Sequence, residues 1–297
     1  MTDSIATLSH QIGSASDLQS VVRTMRAVAA SSIHQYEQSV LALADYRNTV
    51  NLGLAACMRL ADVPAPIPRP ASRPTGTLGA IVFGSDQGLV GQFNELVVEH
   101  ALNVLQKLPG PQVFWAVGER VTARLEDAGI AVESAYPVPS SVAAIAQLVD
   151  RLQFDTETHP SQRALPHIHI FYNRPHSGAL YEPVDERLLP LDKTWRDKLR
   201  MQTWPTPMRP QLMGPSVSTL QLLIREHLFI SLYRASAESL ASENASRLAA
   251  MERADKNIEE LLTSLRNKLH SQRQSSIDAE LSDVLAGYEA LAAKVHR

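Results

Sequence analysis

Proline placement limits this chain more than any other feature. All 18 prolines lie between Pro64 and Pro215, so residues 1–63 and 216–297 have none. A proline inside a helix costs about 3 kcal/mol. The two ends are therefore free to form very long helices, and the punctuated middle is not. Ten of the 13 glycines also fall in the middle; the exceptions are Gly13, Gly53 and Gly287. The order expected is helical arm, globular domain, helical arm.

Apolar spacing supports the arms. Ile5, Leu8, Ile12 and Ala15 step by three and four. After a small drift the apolar track continues through Leu18, Val21, Met25 and Val28, then Ile33, Tyr36, Val40, Leu43, Val50, Leu54 and Cys57. The C-terminal arm offers Leu220, Leu223, Ile230, Leu248, Met251, Ile258, Leu261, Leu265, Leu269, Ile277, Leu281, Val284 and Leu291. A mean spacing near 3.5 predicts a coiled-coil seam. At 1.5 Å per residue a continuous C-terminal arm would reach about 120 Å. Two arms flanking one domain can pair as an antiparallel coiled coil. Kept strictly heptad, the N-terminal seam takes in Gln19 and Arg26, and Asn244 falls at a core position. Those polar residues are either tolerated in a long seam or turned toward a third partner.

The middle reads as alternating strands and helices. TLGAIVF (77–83), QVFWAV (112–117), IAVESA (130–135) and HIHIFYN (167–173) are strand-like; the stretch to Leu105, 121–129 and 141–153 are helix-like. That alternation predicts a Rossmann-like α/β domain with a mainly parallel sheet, inserted between two long terminal helices that form an antiparallel coiled coil. The divisions expected are an N-terminal coiled-coil helix (1–63), a Pro-rich linker (64–76), an α/β domain (77–200), a Pro-rich connection (201–215) and a C-terminal coiled-coil helix (216–297).

Composition narrows the function. With 28 Lys and Arg against 31 Asp and Glu the formal charge is −3, so no basic balance points to nucleic acid. The single Cys57 excludes a disulfide framework or a thiolate metal cluster. The opening MTDSIATLSHQIGSASD has no cationic and apolar signal pattern, and no apolar run is long enough to span a membrane. The expectation is a protein of a reducing compartment, or one held at a membrane by partners.

Signs of chemistry are weak. Gly84, Gly88 and Gly91 lie between a strand and a helix, where backbone amides can hold an anion. GxGxxG is absent and no Lys-Ser/Thr follows, which favours a tight, closely packed turn. His167 and His169 share one strand face, without the further ligand a metal site needs. Turn and capping chemistry accounts for Ser85 and Asp86. No GxSxG, HExxH or CxxC is present. We expect no catalytic residues, cofactor or metal. A coiled-coil scaffold with a partner-binding α/β module fits these features, as does an enzyme with a helical dimerisation arm.

Three segments resemble one family. ENASRLAAMERADKNIEELLTSLRNKLHSQRQSSIDAELSDVLAG is similar to the C-terminal signature of the gamma subunits of F-type ATP synthases, through Ala245, Ser246, Arg247, Met251, Ala254, Asn257, Asn267, Arg273, Gln274, Ile277, Glu280 and Gly287. RTMRAVAAS, with Met25, resembles the family's N-terminal segment, and SDQGLVGQFN its glycine loop, through Asp86, Gly88, Leu89, Gly91, Phe93 and Asn94. Departures are the absence of lysine in residues 1–63, Val90 in the glycine loop and MQTWPTPMRPQLMGPS before the last helix. They mark a divergent or alternative-operon form.

The resemblance implies a non-catalytic central rotor shaft that couples ion-driven rotation to ATP synthesis or hydrolysis. Its partners would be the alpha and beta subunits, the epsilon subunit and the membrane rotor ring of c subunits. Neither nucleic acid nor direct membrane insertion is involved, and the expected location is peripheral, on the cytoplasmic side of the bacterial inner membrane. It further implies that Arg273 and Gln274 hydrogen-bond a beta-subunit loop and that Met25 also contacts the ring. Leu281, Val284, Leu285 and Leu291 would turn in an apolar sleeve.

Overall fold

The computed structural model describes residues 4–60, 77–158, 167–177, 179–191, 193–208, 210, 211, 213 and 215–295. The Pro-rich stretch 64–76 lies outside the described residues, as does the side chain of Leu291. By internal contacts the chain divides into two units, Ala29–Arg247 and the paired segments Met1–Val28 and Leu248–Arg297.

The proline-free ends form the two longest elements, α1 (Ile5–Leu60, 56 residues) and α6 (Ser216–Val295, 80 residues). Between them come β1 (Leu78–Phe83), α2 (Phe93–Leu105), β2 (Gln112–Val117), α3 (Glu119–Asp127), β3 (Val132–Tyr136), α4 (Val142–Thr158), β4 (His167–His176), β5 (Ala179–Leu189) and α5 (Lys193–Met201). The sheet order is β3-β2-β1-β4-β5. β1 pairs in parallel with β2 and β4, β2 in parallel with β3, and β5 closes one edge antiparallel to β4.

The central strands are buried on both faces, as a sheet covered on two sides requires. Ile81, Phe83, Trp115, Val117, Ile170 and Tyr172 point to one face, where Ile145, Val149 and Leu152 of α4 meet Leu232, Ala235, Ala237 and Leu240 of α6. Leu78, Ala80, Val82, Phe114 and Ala116 point to the other, against Val97, Ala101 and Leu105 of α2 and Val121 and Leu125 of α3.

Within the unit Ala29–Arg247, α1 and α6 run antiparallel. Tyr46 bonds Glu226 at 2.6 Å, and further along α1 Gly53 faces Leu223 on an earlier turn of α6. Val50, Leu54 and Cys57 pack there with Leu220 and Ile230. A β-carbon on Gly53 would sit 3.3 Å from Leu223, so the helices touch closely at that point.

Three sequence expectations change. The apolar track of α1 does not drift. Leu8, Ala15, Val22, Ala29 and Tyr36 are buried at steps of seven, while Leu18, Val21 and Val28 are 54%, 55% and 60% exposed. On α6 the seam residue is Leu262 (4% exposed) rather than Leu261 (50%). Neither β5 nor α5 was foreseen. Pro183 and four acidic or basic residues (Glu182, Asp185, Glu186, Arg187) disguise β5, yet an edge strand tolerates proline because one side of its backbone has no ladder partner.

Among the described glycines, Gly84 at the end of β1 is the most tightly packed. A β-carbon there would lie 2.3 Å from Cβ of Val121 and 2.6 Å from Oδ1 of Asn94, both fully or nearly fully buried. Gly84→Ala is expected to cost about 1–3 kcal/mol through overpacking. Thermal unfolding checks this: a melting temperature equal to the native chain's would show that α3 shifts freely.

Candidate functional site

Each unit carries one of the two surfaces singled out by the sequence. In Ala29–Arg247 it is the glycine loop that follows β1. Here the backbone N–H of Ser85 donates to Oδ1 of Asn94 (2.9 Å), and Nδ2 of Asn94 donates back to Oγ of Ser85 (2.9 Å). Asp86 ties two other segments to the loop. Its Oδ1 accepts from the N–H of Glu119 at the start of α3 (3.0 Å), and its Oδ2 accepts from Val138 N–H (2.9 Å). A carboxylate suits the first position because the opening N–H groups of a helix have no partners within it.

Gly91 has φ +60, the left-handed region that favours glycine, and a side chain at Gly88 would meet nothing nearer than Arg120 at 3.9 Å. The loop is then closed by α6. Oγ of Ser246 donates to the carbonyl of Val90 at 2.6 Å. From the end of β4, Nδ2 of Asn173 donates to the carbonyl of Phe93 at 2.9 Å.

This is the switch point of the sheet, where β1 and β4 part and where α/β folds of this kind place a ligand. Beside the loop an open cavity of about 400 Å³ is lined by Gly88, Gly91, Asn94, Glu95, Arg120 and Arg124, while α6 covers the loop's other neighbours. Glu243 of α6 is 5% exposed and paired to Arg247 at 2.6 Å, and burial together with the charge of Asp86 pushes its carboxyl up despite that pairing. Arg120 and Arg124 line the cavity together with Glu95 and Asp127, a mixed charge; the close contacts at Gly84 and the left-handed backbone at Gly91 are what fit the turn-and-packing reading of the glycines.

The histidines do not converge. His100 Nε2 pairs with Asp185 Oδ1 at 3.1 Å across α2 and β5, while His169 is buried and stacks on Phe171. Among the described residues no three His, Cys, Asp or Glu side chains are placed to hold a metal ion.

The second surface belongs to the paired ends of α1 and α6. On α6 Met251, Asp255, Ile258, Leu262 and Leu265 are buried at alternating steps of four and three, a heptad seam. Met25 is half-buried in a cluster with Val22, Met251 and Ala254. Of the polar seam residues, Gln19 and Arg26 find their partner within this unit, while Asn244, in the other unit, donates to the carbonyl of Leu240 on its own helix. Nε2 of Gln19 donates to Asp255 Oδ1 (3.0 Å), Nε of Arg23 to Oδ1 (3.1 Å) and Nη1 of Arg26 to Oδ2 (3.2 Å).

Beyond Gln272 every described side chain of α6 through Ala286 is exposed. Arg273 and Gln274 stand in that stretch, together with Ile277 (56%), Leu281 (63%), Val284 (71%) and Leu285 (63%). Spaced 4, 3 and 1, those four share one helix face. The structure does not gather the sequence-predicted residues at one point: Arg273 is 18 positions beyond Asp255, about 27 Å along the helix. Asp255 and Glu243 were the residues sequence reasoning missed. The strict heptad that exposed Gln19 and Arg26 was the available signal.

Comparisons with known proteins find relatives over nearly the whole chain. A family model described as ATP synthase matches residues 4–291. A chain from Nostoc punctiforme called ATP synthase gamma chain is 28% identical, covering 95% of this chain and 97% of that one. A gamma chain of the same description from Anaeromyxobacter is 26% identical over 97% and 99%. Among solved structures, a chain of the Euglena gracilis mitochondrial ATP synthase (OSCP/F1/c-ring, rotational state 3) has the same fold, with TM-score 0.61, 17% identity and coverage of 97% and 95%.

Two measurements follow from the loop and its surroundings. Asp86→Ala removes both backbone acceptors and is expected to cost about 1–3 kcal/mol, read as a lower denaturation midpoint with an unchanged slope. Burial lowers the His169 imidazole from 6.5 to about 4, outweighing the nearby Asp185 carboxylate. The unfolded chain therefore binds the extra proton between those two pH values. Its share of stability is complete above pH 6.5 and declines on acidification to about 4, by about 3 kcal/mol. His169→Phe should flatten the stability–pH curve in that window, and an unaltered slope would refute this.

Proposed function

The chain belongs to the ATP synthase family, and from that membership we infer that it is the gamma chain, the central rotor shaft of an F-type ATP synthase. In this role α1 and α6 form the axle inside a ring of alternating alpha and beta subunits. The α/β domain, residues 77–200, is the foot that meets the epsilon subunit and the membrane rotor ring. Ion-driven turning of ring and foot is carried by the axle to the catalytic beta subunits, which make ATP; ATP hydrolysis turns the axle the other way.

The chain has no catalytic work in this reading. A shaft alters a catalytic site only by contacting its open and closed states unequally, since equal contact shifts nothing. The residues assigned to those contacts are Met25 on α1 and Arg273, Gln274, Leu281, Val284 and Leu285 on α6. Arg273 is suited to a bidentate hydrogen bond with a carbonyl-rich or acidic loop. Among the described residues no helix is long and apolar enough to cross a membrane. That fits a subunit held peripherally, on the cytoplasmic side of the bacterial inner membrane, through its partners.

The observation that carries the proposal is the end of α6. Its helix continues past Gln272 with every described side chain exposed, and four of them form one apolar face. Contiguous exposed apolar surface marks an interaction site. Co-expression with the same organism's alpha and beta subunits should give a complex with one copy of this chain per three alpha–beta pairs that hydrolyses ATP. If alpha and beta assemble without it, the scaffold reading takes over.

Within the assembled complex, Arg273→Ala combined with Gln274→Ala is expected to lower the ATPase rate about tenfold, the effect of about 1.4 kcal/mol in differential contact. Unchanged rate and torque would remove these two residues from the beta-subunit contact.

A further inference from the structure

The seam of the paired ends holds one acidic residue at a core position. Asp255 occupies the heptad place between Met251 and Ile258, with a side chain only 13% exposed. Opposite it, α1 presents Gln19 and Arg26, the polar members of its own heptad series, and Arg23 beside them. All three donate to the one carboxylate, at 3.0, 3.1 and 3.2 Å. Gln19 and Arg23 reach Oδ1 while Arg26 reaches Oδ2, so both carboxylate oxygens are engaged from one side.

We propose that Asp255 is a positioning residue: with Gln19, Arg23 and Arg26 it forms a charge clasp that sets the register of α1 against α6. The flanking layers do not discriminate. Ile12, Ala15, Val22 and Met25 meet Met251, Ala254, Ile258 and Leu262, aliphatic side chains that pack acceptably after a slip of one heptad. The clasp does discriminate. A slip of seven residues, about 10 Å along the axis, would leave Asp255 with one of its three donors, Arg26 in one direction or Gln19 in the other, and set the remaining donors against other side chains. Losing two of three donors to a carboxylate that is largely withdrawn from water carries a penalty that the interchangeable aliphatic layers do not. The clasp thus lowers the stability the seam would reach if wholly apolar, and in return favours the one alignment in which all three donors meet Asp255.

The consequence for function is positional. Register determines the height of Met25 on α1 relative to Arg273 and Gln274 on α6, and a slip would move one contact surface past the other. The clasp itself stands without the shaft reading, because it is tested on the isolated full-length chain.

Spin labels on cysteines replacing Leu18 and Leu261, both exposed, report the alignment as a distance; native Cys57 is fully buried and stays unlabelled. Three backgrounds are compared: native, Asp255→Asn, and the apolar triple Gln19→Leu, Arg26→Leu, Asp255→Leu. The native chain should give one narrow distance. Asp255→Asn keeps an acceptor but loses the charge, and should keep that distance with a lower melting temperature. The triple variant should melt at or above the native temperature and show a second distance population. The proposal is overturned if the folded triple variant retains the single native distance, or if Asp255→Asn melts with the native chain. Should the triple variant fail to fold, the Asp255→Asn melting temperature decides.

Discussion

Everything in the unit Ala29–Arg247 depends on how closely α6 lies against the sheet. Between Ile230 and Ser246 the helix is covered on nearly every side, which is unusual for a helix that is amphipathic elsewhere. Its sequence there, ISLYRASAESLASENAS, explains how. Ala235, Ser236, Ala237, Ser239, Ala241 and Ser242 are small enough for neighbouring backbones to approach, while Leu232 and Leu240 fill the remaining space against Ile81, Trp115 and Tyr172. Small residues alone would let the helix turn or slide. Two ion pairs of opposite sense stop that: Arg234 of the helix reaches Glu186 of β5 at 2.5 Å, and Arg174 of β4 reaches Glu238 of the helix at 3.0 Å. Such pairs add little net stability once desolvation is counted. Their directionality is what a joint between a helix and a sheet needs, because apolar contact has no preferred angle.

The same closeness determines what the switch point can do. In a nucleotide-binding α/β domain the loop after β1 is kept open for phosphate. Here Ser246 of α6 and Asn173 of β4 bond the loop's backbone, Gly91 lies nearest Ser246, and Gly84 packs against α2 and α3. Crowding at Gly84 and the left-handed backbone at Gly91 account for these two glycines without a bound nucleotide. The α/β domain serves as a mount for α6.

Much of this was legible in the chain itself. Proline exclusion marked both long helices, and the runs TLGAIVF, QVFWAV and HIHIFYN marked strands because central parallel strands bury both faces and read as continuous apolar stretches. What escaped has physical reasons. Following only apolar residues led the α1 track onto Leu18, Val21 and Val28, since nothing near Gln19 or Arg26 in the sequence announces a carboxylate more than 220 positions away. Leu261 and Leu262 are adjacent and alike, so periodicity could not choose between them; burial did, through the partner helix. Strand β5 escaped because its stabilising contacts lie in β4 and α6, while its own composition, with Pro183 and alternating charges, reads as loop. Asp86 was rightly taken for turn chemistry, but its second role, holding Val138, is a tertiary contact that no local pattern contains.

A two-helix rod also answers the physical demand of the proposed role. Three equivalent sites around a shaft can be driven into different states only if the shaft lacks threefold symmetry, and a pair of antiparallel helices has none. Moving one site from 1:99 to 99:1 between two conformations takes about 5.5 kcal/mol of differential contact. At about 25 cal/mol per Å² this is roughly 220 Å² of apolar surface covered in one state and not the other. Three or four exposed aliphatic side chains supply that area. Leu18, Val21 and Val28 on one side of α1, left outside the seam by its strict heptad, and Ile277, Leu281, Val284 and Leu285 near the end of α6 are two such sets. The apolar residues that the coiled coil does not use for its own pairing are thus sufficient, in kind and amount, to bias a neighbouring site as the shaft turns.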